Sequence, residues 1–124
     1  RGISIPFWGV IPVASTSIHV KTLDSFNLTD IDFVKMDVQG WEGHVLRGGQ
    51  TTLRNNQPVI LCENHPEQHE LVQAFAELGY ERIMRVVKED IYVKRTLLTP
   101  PSRHAIMLYF NERKAHFETL AKKA

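Results

Sequence analysis

The sequence predicts an α/β fold built on an open, largely parallel sheet. Three observations lead there. Runs rich in β-branched and aromatic residues alternate with amphipathic stretches at helical spacing. One run, Val59-Ile60-Leu61-Cys62-Glu63, is short and continuously apolar, as in a strand covered on both faces. The two helical stretches on either side of it have the length of βαβ crossovers, which are right-handed. The chain has 124 residues, 43% hydrophobic and 23% charged. That suffices for one core, leaves no room for two full-sized domains, and excludes a low-hydrophobicity disordered chain.

The elements follow in order. Residues 1–17 read as loop or short edge strands, punctuated by Trp8-Gly9 and Pro12. Ile18 to Leu23 alternates apolar and polar residues and predicts a half-exposed strand, with Asp24-Ser25 opening a polar connection. Ile31 to Val38 is the next strand, and Gly40 marks the turn at its end. Residues 41–55 predict a helix with Trp41, Val45, Leu46 and Leu53 on one face, weakened at Gly48-Gly49 and stopped at Asn55-Asn56. Pro58 opens the strand 59–63. Pro66 suits a first helical turn, Leu71, Val72, Phe75 and Leu78 form its apolar face, and Gly79 stops it. Tyr80 to Val87 reads as a strand, Lys88-Glu89-Asp90 as a polar turn and Ile91-Tyr92-Val93 as a short strand. Thr99 to Ser102 reads as a loop and Ala105 to Phe110 as a strand. Residues 112–124 form a terminal helix with a thin stripe of Phe117, Leu120 and Ala121. There is no repeat, low-complexity tract or internal linker.

Fifteen Lys plus Arg stand against fourteen Asp plus Glu, a formal charge of +1. This balance predicts no pull toward nucleic acid or an anionic membrane. The lone Cys62 excludes an intramolecular disulfide and suits a reducing, cytoplasmic setting. No apolar run approaches the ~20 residues of a membrane span. Residues 3–20 are interrupted by Pro6, Gly9 and Pro12 and lack the layout of a signal peptide. Phosphate-loop, zinc-ribbon and nucleophile-elbow patterns do not occur.

In an open parallel α/β sheet, ligands bind beyond the carboxyl ends of the strands. That rule selects Asp37-Val38-Gln39-Gly40-Trp41-Glu42 after one strand and Glu63-Asn64-His65 after the next. If the strands are neighbours, carboxylates, an imidazole and an amide converge at one rim, able to orient a substrate and accept a proton. Plainer readings stand beside this. Asp37 can cap the following helix, Glu42 can favour its N-terminus, Trp41 can be core rather than pocket, and His65 can be a loop histidine. Lys35 within its strand can pair with Asp37, Asp24 or Glu63, or reach an edge. Arg47 and Arg54 suit a solvated helix face. His65-x-x-x-His69 has zinc-ligand spacing with Glu63, Glu67 or Cys62 nearby, but Pro66 separates the pair, so the metal reading ranks lower. A nucleophilic Cys62 ranks lower still, because a buried thiol is inert.

Thr22-Leu23-Asp24, then Lys35-Met36-Asp37-Val38-Gln39-Gly40, then Glu42 and Leu46-Arg47-Gly48-Gly49, resemble the FkbM-type methyltransferase family. Pro58 to Glu63, the following Asn64-His65 and Leu78-Gly79-Tyr80 extend the resemblance over residues 18–93. Gln39 stands where that family usually has Glu. The resemblance implies a Rossmann-like class I methyltransferase fold, with these strands as the second half of its sheet ending in an antiparallel hairpin. It implies S-adenosylmethionine as methyl donor and O-methylation of a hydroxyl on a sugar, lipid or natural product. On the acceptor side it implies Asp37, His65 and Glu63 as catalytic candidates, and Glu42, Gln39, Asn64 and Trp41 as substrate-binding ones, with Asp37 also able to touch the donor.

The family's Gly-rich donor-binding turn would precede everything seen here. With Arg1 in place of an initiator Met, the expectation is the later half of a larger domain, inactive alone. An open sheet edge on such a half predicts self-association. The competing readings are a non-catalytic α/β interaction module and, less favoured, a small metal-binding protein.

Overall fold

The computed structural model describes residues 14–63 and 69–123. Its frame is one four-stranded sheet of β1 (Phe33–Met36), β2 (Val59–Glu63), β3 (Tyr80–Val86) and β4 (Glu89–Lys94), in the spatial order β1–β2–β4–β3. β1 and β2 run parallel, in register from Phe33 with Val59 to Met36 with Cys62. β4 is antiparallel to both neighbours. The chain leaves β2 through α3 (His69–Glu77), lays down β3, and returns as β4 into the gap between them. Val86 pairs with Glu89, so Val87 and Lys88 form the hairpin tip, with Val87 at a φ of 58°.

The helix expected over 41–55 is two helices, α1 (Glu42–Gly48) and α2 (Gln50–Asn56), parted at Gly49. The preceding segment lies against this break. A Cβ on Gly48 would meet Cβ and Cγ2 of Thr22 at 3.1 Å, and one on Gly49 would meet Leu23 Cδ2 at 2.9 Å and the Val45 carbonyl oxygen at 3.1 Å. Asp24 then caps α2 from outside. Its carboxylate accepts the Thr51 N–H at 3.2 Å, the Thr52 N–H at 2.8 Å and the Thr52 hydroxyl at 2.7 Å. These backbone donors have no partner inside the helix, so an external acceptor is what they require. The Thr52 backbone bond foremost holds the Asp24 carboxyl below its ordinary range. Asp24 is thus a helix cap and not the ion-pair partner of Lys35, which is exposed and forms no ion pair among the described residues.

The strand expected over 18–23 does not form. Ser25 bonds back to Thr22, Asp24–Phe26 closes a 3₁₀ turn, and no described strand pairs with the segment. Alternation alone gives Ile18 and Val20 no sheet to join, and both are exposed.

One face of the sheet carries the core. Met36, Ile60, Cys62 and Tyr92 meet Leu46 and Leu53 from α1 and α2, and Leu71, Phe75 and Leu78 from α3 and its end. Full burial of each such aliphatic or aromatic side chain contributes about 1.5–3 kcal/mol. Tyr92 stacks on Phe75 with centroids 3.7 Å apart, and Tyr80 meets the same ring edge-on at 6.1 Å. The Tyr80 hydroxyl donates to the Pro58 carbonyl at 2.9 Å. The opposite face is less covered than the apolar run of β2 suggests: Ile60 and Cys62 are buried, while Val59, Leu61 and Glu63 are half-buried.

Residues 105–110, expected as a strand, lie inside a long helix, α4 (Pro100–Lys123). Its start explains the correction. The Thr99 hydroxyl accepts the Ser102 N–H at 3.2 Å, and the Ser102 hydroxyl accepts the Thr99 N–H at 2.9 Å. This reciprocal cap resembles a capping box, and Pro100 occupies the first turn, where its missing N–H is harmless. The expected terminal helix is, over its described residues 112–123, the far part of α4. An Arg103–Glu81 ion pair ties the near part to β3. No helix among the described residues is long and apolar enough to cross a membrane.

A carboxylate and amide rim as candidate active site

The parallel register fixes the site. Met36 and Cys62 are partners, so Asp37 and Glu63, one residue further on each strand, come out side by side at the carboxyl ends of β1 and β2. Adjacent strands lie about 4.8 Å apart, which places the two carboxylates within mutual reach. Beyond Asp37 the chain turns sharply. Gln39 and Gly40 have φ values of 51° and 97°, and the Trp41 N–H closes the turn on the Val38 carbonyl at 3.3 Å. Both central residues are left-handed, as a type I′ turn demands, and Gly40 takes that conformation at no steric cost. The reversal folds the Gln39 side chain back over the strand ends. Its Nε2 donates to Asp37 Oδ1 at 2.7 Å and reaches Glu63 Oε2 at 3.5 Å.

Asp37, Glu63 and Gln39 are therefore brought together, with Asp37 and Gln39 exposed and Glu63 half-buried. Trp41, which follows the turn, is 48% exposed and so is not core. Its ring packs against His44, centroids 4.6 Å apart. Glu42 is fully buried in the first turn of α1, withdrawn from solvent behind the rim. Asn64 and His65 lie outside the described residues, as does the side chain of His69.

Behind the rim the environment turns acidic and dry. Burial first, then the charges of Glu42, Asp90, Glu89 and Glu63, push the Cys62 thiol up to about 12. A thiol so disfavoured as thiolate is a poor nucleophile. Among the described residues, no three His, Cys, Asp or Glu side chains gather in a way that would hold a metal ion.

Two arrangements were not evident from the sequence. Trp41, His44 and Arg47 form a ladder on α1, where Arg47 lies 2.7 Å from His44 Nδ1. Arginine only donates, so that nitrogen accepts and the ring proton sits on Nε2. The spacing i, i+3, i+6 was the available signal. The second is Asp90, fully buried and gripped by Arg85 through bonds of 2.8 and 3.1 Å. It reads as part of a polar turn until the hairpin register pairs it with Arg85. On the other strand it faces Cys62, while Glu89 faces Glu63, so the hairpin borders the same rim.

Residues 9–82 match the family model described as the methyltransferase FkbM domain. Comparison with curated proteins returned no match, and comparison with solved structures returned none either.

Proposed function

This chain belongs to the FkbM methyltransferase family, and on that premise we propose that it is the acceptor side of an S-adenosylmethionine-dependent O-methyltransferase. The observation that carries the reading is the convergence of Asp37, Glu63 and Gln39 at the carboxyl ends of two parallel strands. That is where an open α/β sheet places its ligand. The parallel pair β1–β2, followed by the β3–β4 hairpin with β4 set against β2, supports these strands as the second half of a Rossmann-like sheet.

S-adenosylmethionine, when bound, supplies an activated methyl group on a cationic sulfonium. The acidic rim suits that charge. Among the described residues no glycine-rich turn follows a strand to cradle a nucleoside, so the fit is to the reacting end alone. The chain's own residues then have defined tasks. Asp37 accepts the proton of the acceptor hydroxyl, with His65 as the second candidate on the β2 side. Gln39 fixes the Asp37 carboxylate, Glu63 and Asn64 hold further acceptor hydroxyls, and exposed Trp41 offers an apolar wall. Buried Glu42 acts from behind by orienting its neighbours. The acceptor class is a hydroxyl on a sugar, lipid or natural product.

The single Cys62 supports a reducing, cytoplasmic setting. The outer edge of β1, unpaired among the described residues, supports self-association, which sedimentation would register as a species heavier than the 14.3 kDa chain. The central test is transfer of a labelled methyl group to a panel of hydroxyl acceptors, run on this chain and on any longer protein that contains it. Asp37→Asn should lower the rate by about 10²–10⁴-fold, the usual contribution of a positioned base. Undiminished turnover in that variant removes Asp37 from the mechanism.

A further inference from the structure

Two carboxylates meet at the ends of neighbouring strands, and one side-chain amide nitrogen lies between them. One nitrogen at 2.7 Å from Asp37 Oδ1 and 3.5 Å from Glu63 Oε2 keeps those oxygens within about 6 Å of each other. Like charges at that range repel, and a site of this kind is commonly satisfied by a shared proton or a divalent cation. Here the group in that position is a primary amide. Its nitrogen has two hydrogens and no lone pair to offer a metal, so each hydrogen can serve one carboxylate. The shorter contact is a full hydrogen bond and the longer one lies at the outer limit. The backbone is arranged for it: Gln39 is left-handed, at a φ of 51°, and this reversal returns its side chain over Asp37.

We propose that Gln39 is the positioning residue of this rim, its amide bridging Asp37 and Glu63 in the place a divalent cation would take. The proposal deepens the methyltransferase reading, because it makes acceptor binding independent of added metal. It has a structural corollary. Glutamate has the same length but offers only acceptors, so Gln39→Glu puts three carboxylates into one space and should create a cation site by a single substitution.

The experiment uses Mn²⁺ as probe on the ¹⁵N-labelled full chain, read by paramagnetic broadening of the amides around residues 37–40 and 63, with calorimetry for affinity. The unsubstituted chain should show no localised broadening there. Gln39→Glu should bind Mn²⁺ at least tenfold more tightly, and Asp37→Asn in that background should abolish the gain. Equal binding by the unsubstituted chain overturns the proposal, because the amide then does not exclude the cation. Failure of Gln39→Glu to gain binding overturns it too, because the three groups then do not converge. Should Gln39→Glu fail to fold, the Gln39 side-chain N–H₂ resonances decide in the otherwise unsubstituted chain: Asp37→Asn must shift them, and unmoved resonances refute the bridge. None of these readouts involves methyl transfer, so they stand or fall separately from the enzymatic reading.

Discussion

Tyr80→Phe removes one oxygen atom from the interior and leaves the ring in place. The hydroxyl donates at 2.9 Å to the Pro58 carbonyl, and both residues are buried. The edge contact with Phe75 survives in the variant, so no cavity opens. What is lost is one hydrogen bond, worth about 1 kcal/mol net, and what remains is a buried carbonyl without that donor, which costs about 1–3 kcal/mol. The two descriptions overlap, and we expect a loss of about 1–2 kcal/mol, with a melting temperature lower by roughly 4–8 °C for a chain of this size. Urea unfolding checks it, with a shifted midpoint and an unchanged slope. The variant also has an alkaline signature. Burial pushes the Tyr80 and Tyr92 hydroxyls up to about 12 from 10, and the Cys62 thiol up to about 12 from 9. The unfolded chain ionises these groups first. Their contribution is therefore complete below pH 9 and is lost as pH rises toward 12. Without the Tyr80 hydroxyl, stability should start lower at neutral pH and fall less steeply above pH 10. A Phe variant within about 0.5 kcal/mol of the unsubstituted chain at pH 7, the range of neutral substitutions, would show that the Tyr80–Pro58 bond does not hold these elements together.

Val87 is β-branched, exposed and left-handed at the hairpin tip; relieving that conformation with Val87→Asn should stabilise the chain by about 1 kcal/mol, seen as a raised thermal midpoint. An unchanged midpoint means the tip is unstrained. The folded Asp24 carboxyl titrates below its ordinary 3.8, so its stabilisation is present above that value and lost as pH falls through the lower, folded one. Asp24→Asn should therefore lower the urea midpoint at neutral pH and flatten its acid limb, and a parallel acid limb would exclude the cap as its source. Gly49→Ala replaces a favoured N-cap residue of α2 with a poor one and adds overpacking of about 1–3 kcal/mol on Leu23 and the fixed Val45 carbonyl. Net destabilisation is expected in equilibrium unfolding, and a stabilised variant would mean that the 22–24 segment does not press on the helix break.

The α/β class, the bounds of β2 and the rim at Asp37 and Glu63 were legible because each rests on a local pattern. A continuous apolar run marks β2, and Gly40 marks the turn. The misread elements depended on what lay elsewhere. Ala105 to Phe110 has strand composition, but the Thr99–Ser102 cap upstream commits the segment to helix. Gly48-Gly49 signals weakness in a helix, yet only the approach of Thr22 and Leu23 shows why the chain breaks there. Gln39 was legible as a rim residue. Its grip on two carboxylates was not, because that depends on a left-handed turn and on a strand register formed 24 residues away.

The insertion of β4 between β2 and β3 also orders events in time. β3 precedes β4 in the chain and runs in the same direction as β2, and it leaves that edge of β2 to β4. The β3–β4 hairpin closes through a two-residue tip, a local event on the scale of about 1–10 μs. Pairing β1 with β2 requires the whole α1–α2 crossover to be gathered first, a longer loop with a larger entropic cost. The hairpin is thus poised to form early and dock as a unit, β4 leading, onto β2. In the finished sheet β2 and β4 are flanked on both sides and β1 and β3 on one among the described residues. Amide exchange should accordingly be slowest at Ile60, Cys62 and Tyr92, and only global unfolding should expose them to solvent.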